Sequence, residues 1–199
     1  MPGRAIRLAA IVFVGVAVAS DAAAQVRHVE SMDSIRRRVA SFIPRTGPPG
    51  ATVTVSTGLM PAITPLRIGF GGNDGFEEMT SVLTTTTGEF SVTVTIPTWA
   101  EWTRSYRFIA FDVYFRPLAL SDLFHVTDEN GRVRREGAIT SDATACKGLR
   151  DRHGELYALV GDTVTRRAGD RVTVEGTIAE RSDCRQGIPL RVARIEGSD

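Results

Sequence analysis

Four segments decide the fold of the last third of the chain: GRVRREGAIT (Gly131–Thr140), GELYALVGD (Gly154–Asp162), GDRVTVEGTIAE (Gly169–Glu180) and GIPLRVARIE (Gly187–Glu196). Each alternates apolar and polar residues with the period of two that puts one face of a strand in a core. Gly and Asp residues punctuate them as turns. Cys146 follows the first segment and Cys184 follows the third. Gly137 and Gly176 stand in mid-strand, where a glycine marks a bend at a barrel corner. The pattern predicts a small closed β-barrel over residues 132–199, stapled by one disulfide.

The disulfide depends on the compartment, and the N-terminus predicts one. Arg4 and Arg7 precede an apolar run, Leu8–Ala19, that is too short to span a bilayer comfortably. Ala22 and Ala24 then give a small-x-small cleavage pattern. Residues 1–24 read as a signal peptide cleaved before Gln25, which places the mature protein in the periplasm or the medium. No later run is long and apolar enough to span a membrane. Two cysteines in an oxidising compartment pair most simply with each other. Competing roles have less behind them: a zinc site wants four ligands with close spacings, and a nucleophilic cysteine wants a paired histidine. The bridge closes a loop of 38 residues, for which chain entropy predicts about 4 kcal/mol of stabilisation.

Residues 25–40 read as a polar spacer or short helix ending in Arg36, Arg37 and Arg38. Residues 41–127 carry strand signals throughout. Val53 and Val55 share a face, as do Leu66, Ile68 and Phe70. GEFSVTVTIP (Gly88–Pro97) alternates cleanly, with Phe90, Val92, Val94 and Ile96 inward. SYRFIAFDVYF (Ser105–Phe115) is apolar on both faces, by way of Phe108, Ile109, Phe111 and Val113, as a central strand would be. Six or seven short strands, with turns about every 8–12 residues and no helix of note, predict an antiparallel sandwich. Asp128-Glu129-Asn130-Gly131 is the boundary turn, and its shortness predicts units that touch and move little.

Two resemblances follow from these residues. Ile43-Pro44, the Gly47–Gly50 turn and Thr52–Ser56, with the later TGEFSVTVTIP, resemble bacterial immunoglobulin-like domains of the TIG type. The resemblance implies an immunoglobulin-like β-sandwich and no chemistry. This copy lacks the cysteine pair and core tryptophan of antibody-type domains. The C-terminal part is similar to a family of small exported bacterial domains of unknown function, read as OB-fold-like barrels. Cys146, Leu156, Tyr157, Leu159, Gly161, Gly169, Asp170, Val172, Val174, Gly176, Cys184, Gln186 and Gly187 match its pattern. It implies a fold and a disulfide, with no activity. The chain as a whole is thus expected to be all-β, a sandwich followed by an OB-like barrel.

Charge narrows the function classes. Lys+Arg 24 against Asp+Glu 23 leaves a net +1, so no bulk field draws the chain to nucleic acid or anionic lipid. OB-type barrels that bind nucleic acid need a basic groove with several stacking aromatics. This barrel carries Tyr157 alone, and its thirteen basic residues face eleven acidic ones. No nucleic-acid partner is expected. No hydrolase, zincin, dinucleotide or P-loop motif occurs. The three histidines, His28, His125 and His153, are scattered.

The remaining candidates are local. GGNDGFEE (Gly71–Glu78) sets Asn73, Asp74, Glu77 and Glu78 in a glycine-rich loop, and hard oxygen donors suit Ca²⁺. The spacing of a dedicated calcium loop is missing, which favours a plain hairpin tip. PTWAEW (Pro97–Trp102) places Trp99 and Trp102 at i and i+3, on one face of a helical turn. That is either an aromatic platform for a sugar or protein, or a turn capping the core. Thr84–Thr87 reads as a turn with exposed hydroxyls, and Arg150, Arg152 and His153 as either a small anion site near the Cys146 loop or, the favoured reading, solvated turn charges. The sequence predicts an exported, non-enzymatic binding or scaffolding module of the bacterial envelope or medium, without cofactors. Its partner would be an envelope or extracellular protein or glycan, met by the first domain. A carbohydrate-binding protein using Trp99 and Trp102 is the alternative, and an exported hydrolase with an unrecognised site the third reading.

Overall fold

The computed structural model describes residues 39–72, 75–143, 146–161 and 166–197. The expected signal peptide, nearly all of the spacer, and Asn73 and Asp74 lie outside these residues. Fourteen strands and no helix make up the described chain. The first nine are β1 Val39–Ile43, β2 Thr46–Gly47, β3 Thr52–Thr57, β4 Pro65–Gly72, β5 Gly75–Leu83, β6 Phe90–Thr95, β7 Ser105–Phe111, β8 Pro117–Ser121 and β9 Phe124–Val126. The last five are β10 Val133–Thr140, β11 Lys147–Asp151, β12 Leu156–Val160, β13 Arg171–Ile178 and β14 Ile188–Gly197.

The first nine form one hydrogen-bonded sheet. β7 is its hub: β4 pairs along one edge, while β8 and then β9 pair along the other. β5 extends the sheet beyond β4. β1 links this wing to a second one, running parallel to β8 and antiparallel to β3, which pairs with β6. β2 continues from β1 and runs parallel to β9. Both wings feed one core. Val53 and Val55 from one wing meet Leu66, Ile68, Phe70 and Phe108 from the other, all at most 1% exposed. Phe70 is the centre, with ring centroids of Tyr106 and Phe108 each 5.0 Å away and Phe124 at 5.9 Å. Burying one such ring is worth roughly 1.5–3 kcal/mol, which is what holds the wings together.

The last five strands form a closed barrel in the order β10-β11-β12-β14-β13. All pairs are antiparallel except β12 with β14. Val133, Ile139, Leu149, Tyr157, Leu159, Val172, Val174 and Leu190 fill it. A closed sheet has no free edge to aggregate. Gly137 and Gly176 lie where strands press together: a Cβ on either would sit 2.1 Å from a backbone oxygen, of Arg150 and Arg191 respectively. The Cys146–Cys184 disulfide is formed, with Cα atoms 5.6 Å apart.

Three readings of the sequence need correction. The barrel has five strands, and the missed one is β11. Its KGLRD sequence offers a single large apolar residue: Leu149 enters the barrel core, while Gly148 and Asp151 are buried without adding apolar bulk. β7 stops at Phe111, so Val113 belongs to a turn and is 46% exposed. Thr84 is buried, its hydroxyl donating to the Pro61 carbonyl at 2.7 Å and accepting from the Thr64 amide at 2.8 Å, so it ties down a loop.

Candidate functional site

The sheet and the barrel meet at a joint built by Arg135. The alternation of β10 points Val133, Arg135 and Ile139 inward, so an arginine occupies a core position and is 1% exposed. The turn leading into it is closed: Asp128 N donates to Arg132 O at 2.8 Å, and the Asp128 carboxylate accepts from the amides of Asn130 and Arg132. Gly131 takes φ +75°, which glycine adopts without strain. Those amide bonds hold the Asp128 carboxyl below the usual carboxylate range, the Arg132 bond foremost. The chain therefore enters the barrel along a fixed path, and Arg134 N donates to Trp102 O of the sheet at 3.2 Å.

All five guanidinium N–H groups of Arg135 have acceptors. Nε donates to Tyr157 Oη at 2.8 Å. Nη1 donates to the carbonyls of Trp102 and Arg134, each at 2.8 Å. Nη2 donates to Arg104 O at 3.2 Å and Ser105 Oγ at 2.9 Å. Among the described residues no carboxylate pairs with it; carbonyl and hydroxyl dipoles carry the charge. A guanidinium cannot accept, and Arg135 Nη2 also faces His125 Nδ1 at 3.5 Å, so Nδ1 is an acceptor and the directions in the rest of the network follow from it. Tyr157 accepts from Arg135 and donates to Ser105 Oγ, 3.1 Å away. Ser105 then donates to His125 Nδ1 at 2.9 Å. His125 is therefore the Nε2–H tautomer. Burial pushes its pKa down to about 3, aided by the guanidinia of Arg135, Arg107 and Arg45, so it is neutral. Burial likewise raises the Tyr157 phenol.

Beside the joint lies a groove of about 910 Å³. Ile43, Pro44 and Arg45 line it from the sheet, and Ile178, Ile188 and Pro189 from the barrel. Among the described residues that line it, His125 alone is buried. A second cavity of about 270 Å³ shares Arg107, Leu123 and Glu155 with the first and reaches Ser105 and His153.

The far end of β7 presents a different surface. Asp112–Arg116 is a turn closed by Asp112 N to Arg116 O at 3.1 Å. The Asp112 carboxylate accepts from the amides of Tyr114 and Arg116 at 2.8 and 2.9 Å, and from Arg116 Nε at 2.6 Å. Burial works against its ionisation, but these bonds win and its pKa is lowered. The turn raises Val113, Tyr114 and Phe115 into solvent, at 46, 76 and 50% exposure. Phe115 sits at φ +58°, a strained position for a bulky residue. The Arg67 guanidinium lies 4.5 Å from its ring centroid. Phe76 stacks on Phe111 at 4.4 Å, and the two rings rest on Gly69, where a Cβ would come within 2.9 Å of Phe111.

The residues singled out by sequence fall elsewhere. Trp99 and Trp102 do not share a helical turn; two successive β-turns, Pro97–Ala100 and Glu101–Arg104, carry them. Trp99 is 45% exposed, lies against Phe70 and Tyr106, and donates from Nε1 to Glu77. Trp102 is half-buried on the sheet's core, and its carbonyl belongs to the joint. Glu77 and Glu78 stand in strand β5, not in a loop. Glu77 takes the Trp99 N–H, and Glu78 pairs with Arg67 at 2.8 Å. Among the described residues no group of three or more His, Cys, Asp or Glu side chains is placed to hold a metal. Arg150 is occupied by Asp142 at 2.8 Å. No helix of the described chain is long and apolar enough to cross a membrane. No family model and no curated protein matches the chain.

Sequence reasoning missed the joint and the 113–115 tip. The joint had one legible signal, an arginine at an inward position between Val133 and Ile139. The tip had another, the turn-forming Asp112 ahead of Arg116-Pro117.

Proposed function

We propose that this protein is an exported, non-enzymatic module that docks a protein partner through the Val113–Phe115 tip. The observation that carries the reading is the presentation of those three residues. Contiguous exposed apolar surface marks interaction sites, and aromatic residues dominate their energetics. Here a carboxylate with three hydrogen bonds holds the turn and keeps Phe115 in a left-handed conformation. A rigid, pre-formed contact loses little entropy on binding. Export is supported by the N-terminal residues, and by a disulfide that suits an oxidising compartment. The strand order of the barrel and the two-winged sheet support OB-like and immunoglobulin-like assignments, both scaffolds that carry function on loops.

The Ser105–His125 contact has the geometry of a nucleophile and its base. Its chemistry points the other way. Arg135 donates to the same hydroxyl oxygen, and a histidine with a pKa of about 3 is a poor base near neutrality. We read the pair as a structural latch.

A photo-reactive phenylalanine analogue at Tyr114 tests the tip in the producing cell. It should give one discrete cross-linked protein, lost on adding Phe115→Ser. The same analogue at exposed Thr54, on the other wing, should give none. Equal labelling at both sites, or none at Tyr114, would remove the proposal. A second reading rests on Trp99, which lines a cavity of about 320 Å³ with Glu77, Glu101 and Tyr106, the mix of ring and carboxylates that suits a sugar. Cell-wall glycans should then quench its fluorescence, and Trp99→Ala should abolish the response.

A further inference from the structure

We propose that the groove between the sheet and the barrel binds a carboxylate carried on an apolar body, with the carboxylate seated on His125 Nε2–H between the guanidinia of Arg45 and Arg107.

The starting point is an unpartnered donor. His125 is 5% exposed and its Nδ1 is engaged by Ser105 and Arg135. The proton must lie on Nε2, at the other edge of a ring that lines the groove. Among the described residues Nε2 has no hydrogen-bond partner. Buried donors are almost always satisfied, so this one calls for an acceptor from outside the chain. The local field selects the acceptor's charge. The charges that act on His125 are those of Arg135, Arg107 and Arg45, all positive. Arg135 is spent on its own acceptors. Arg107 is anchored by Nη1 to Ser121 O at 2.7 Å and borders the groove. Arg45 has a largely exposed side chain and only a 3.9 Å contact with Asp122, so it can swing onto a ligand. One neutral N–H and two guanidinia fit the two oxygens of a carboxylate.

The walls select the rest of the ligand. Ile43 is 75% exposed at the rim, and Pro44, Ile178, Ile188 and Pro189 continue an apolar lining. The volume of about 910 Å³ suits a small molecule or a few residues of peptide. Asp122, Glu155 and Glu180 also border the groove, and they disfavour a dianion such as a phosphate monoester. A monoanion with an apolar body matches the donors and the apolar wall, and meets less repulsion from the three carboxylates than a dianion does. Neither Val113–Phe115 nor Trp99 takes part, so this site stands independently of the tip.

The test uses the full chain, with decanoate and an acetylated Leu-Val-Ile tripeptide acid as probes, each against its neutral amide. Binding is read by calorimetry and by the His125 side-chain nitrogen signals. One acid at least should bind below roughly 1 mM and perturb Nε2, with its amide about tenfold weaker or worse. Arg45→Ala, at an exposed position that leaves the joint intact, should weaken the acid about fivefold or more and leave the amide unchanged. Preference for decanoate assigns a hydrocarbon acid, and preference for the tripeptide a protein C-terminus. Equal binding of acid and amide, no binding of either acid, or an acid affinity untouched by Arg45→Ala would overturn the proposal.

Discussion

Mild acid should weaken this protein through one residue. His125 has a folded-state pKa of about 3 against an ordinary value of 6.5. Below 6.5 the unfolded chain takes up a proton that the folded chain refuses, so the unfolded state binds more protons and stability falls with pH. The loss begins near 6.5 and ends near 3, where both states are protonated. Its slope is about 1.4 kcal/mol per pH unit, so going from about pH 7 to about pH 5 removes about 2 kcal/mol. That is a large share of a typical 5–15 kcal/mol. The window is clean. Asp112 and Asp128 are both held below 3.8, so the stability they contribute is lost only in stronger acid. His125→Gln keeps an acceptor for Ser105 and cannot be protonated. Urea unfolding at the two pH values should show the drop in the native protein and a flat response in the variant. A native protein equally stable at both values, or a variant with the same slope, would show that His125 does not set the response to acid.

Arg135→Met removes five buried N–H donors and should cost about 3–5 kcal/mol; the combined loss with Ser105→Ala should fall short of the sum by about 0.5–3 kcal/mol, and strict additivity would deny the joint. Replacing Cys146 and Cys184 by serine should cost about 4 kcal/mol in urea unfolding, and a loss below about 1 kcal/mol would show the bridge to be dispensable. Asp112→Ala frees the amides of Tyr114 and Arg116, and should speed their hydrogen exchange while β13 amides stay protected; unchanged exchange would mean that the carboxylate does not hold the tip.

Where a strand buries alternate large apolar residues, the sequence was legible. β3, β4, β6 and β13 follow their period, β14 follows it up to the bulge after Val192, and the Cys146–Cys184 bridge follows from two cysteines. β11 was not, because Leu149 is its single large apolar residue and its other buried positions are Gly148 and Asp151. The end of β7 was misplaced because Phe111 and Val113 continue the apolar pattern while Asp112 captures the chain in a turn. The joint was invisible for a different reason. Ser105, His125, Arg135 and Tyr157 sit on four strands of two units, and no local period links them. A polar residue at a core position reads as noise in one strand until the acceptors of another unit come into view. The tryptophans misled because spacing of i and i+3 was read as helical, whereas Pro97 and Glu101 each start a β-turn.

The Arg135 joint predicts that sheet and barrel tumble as one rigid body, so that tip and groove keep fixed geometry. Backbone nitrogen relaxation by NMR tests it most directly. Amides of β3 and β6 in the sheet and of β13 and β14 in the barrel should report a single rotational diffusion tensor, and Arg135→Met should split it in two. Separate tensors for the two units in the native protein would contradict the account.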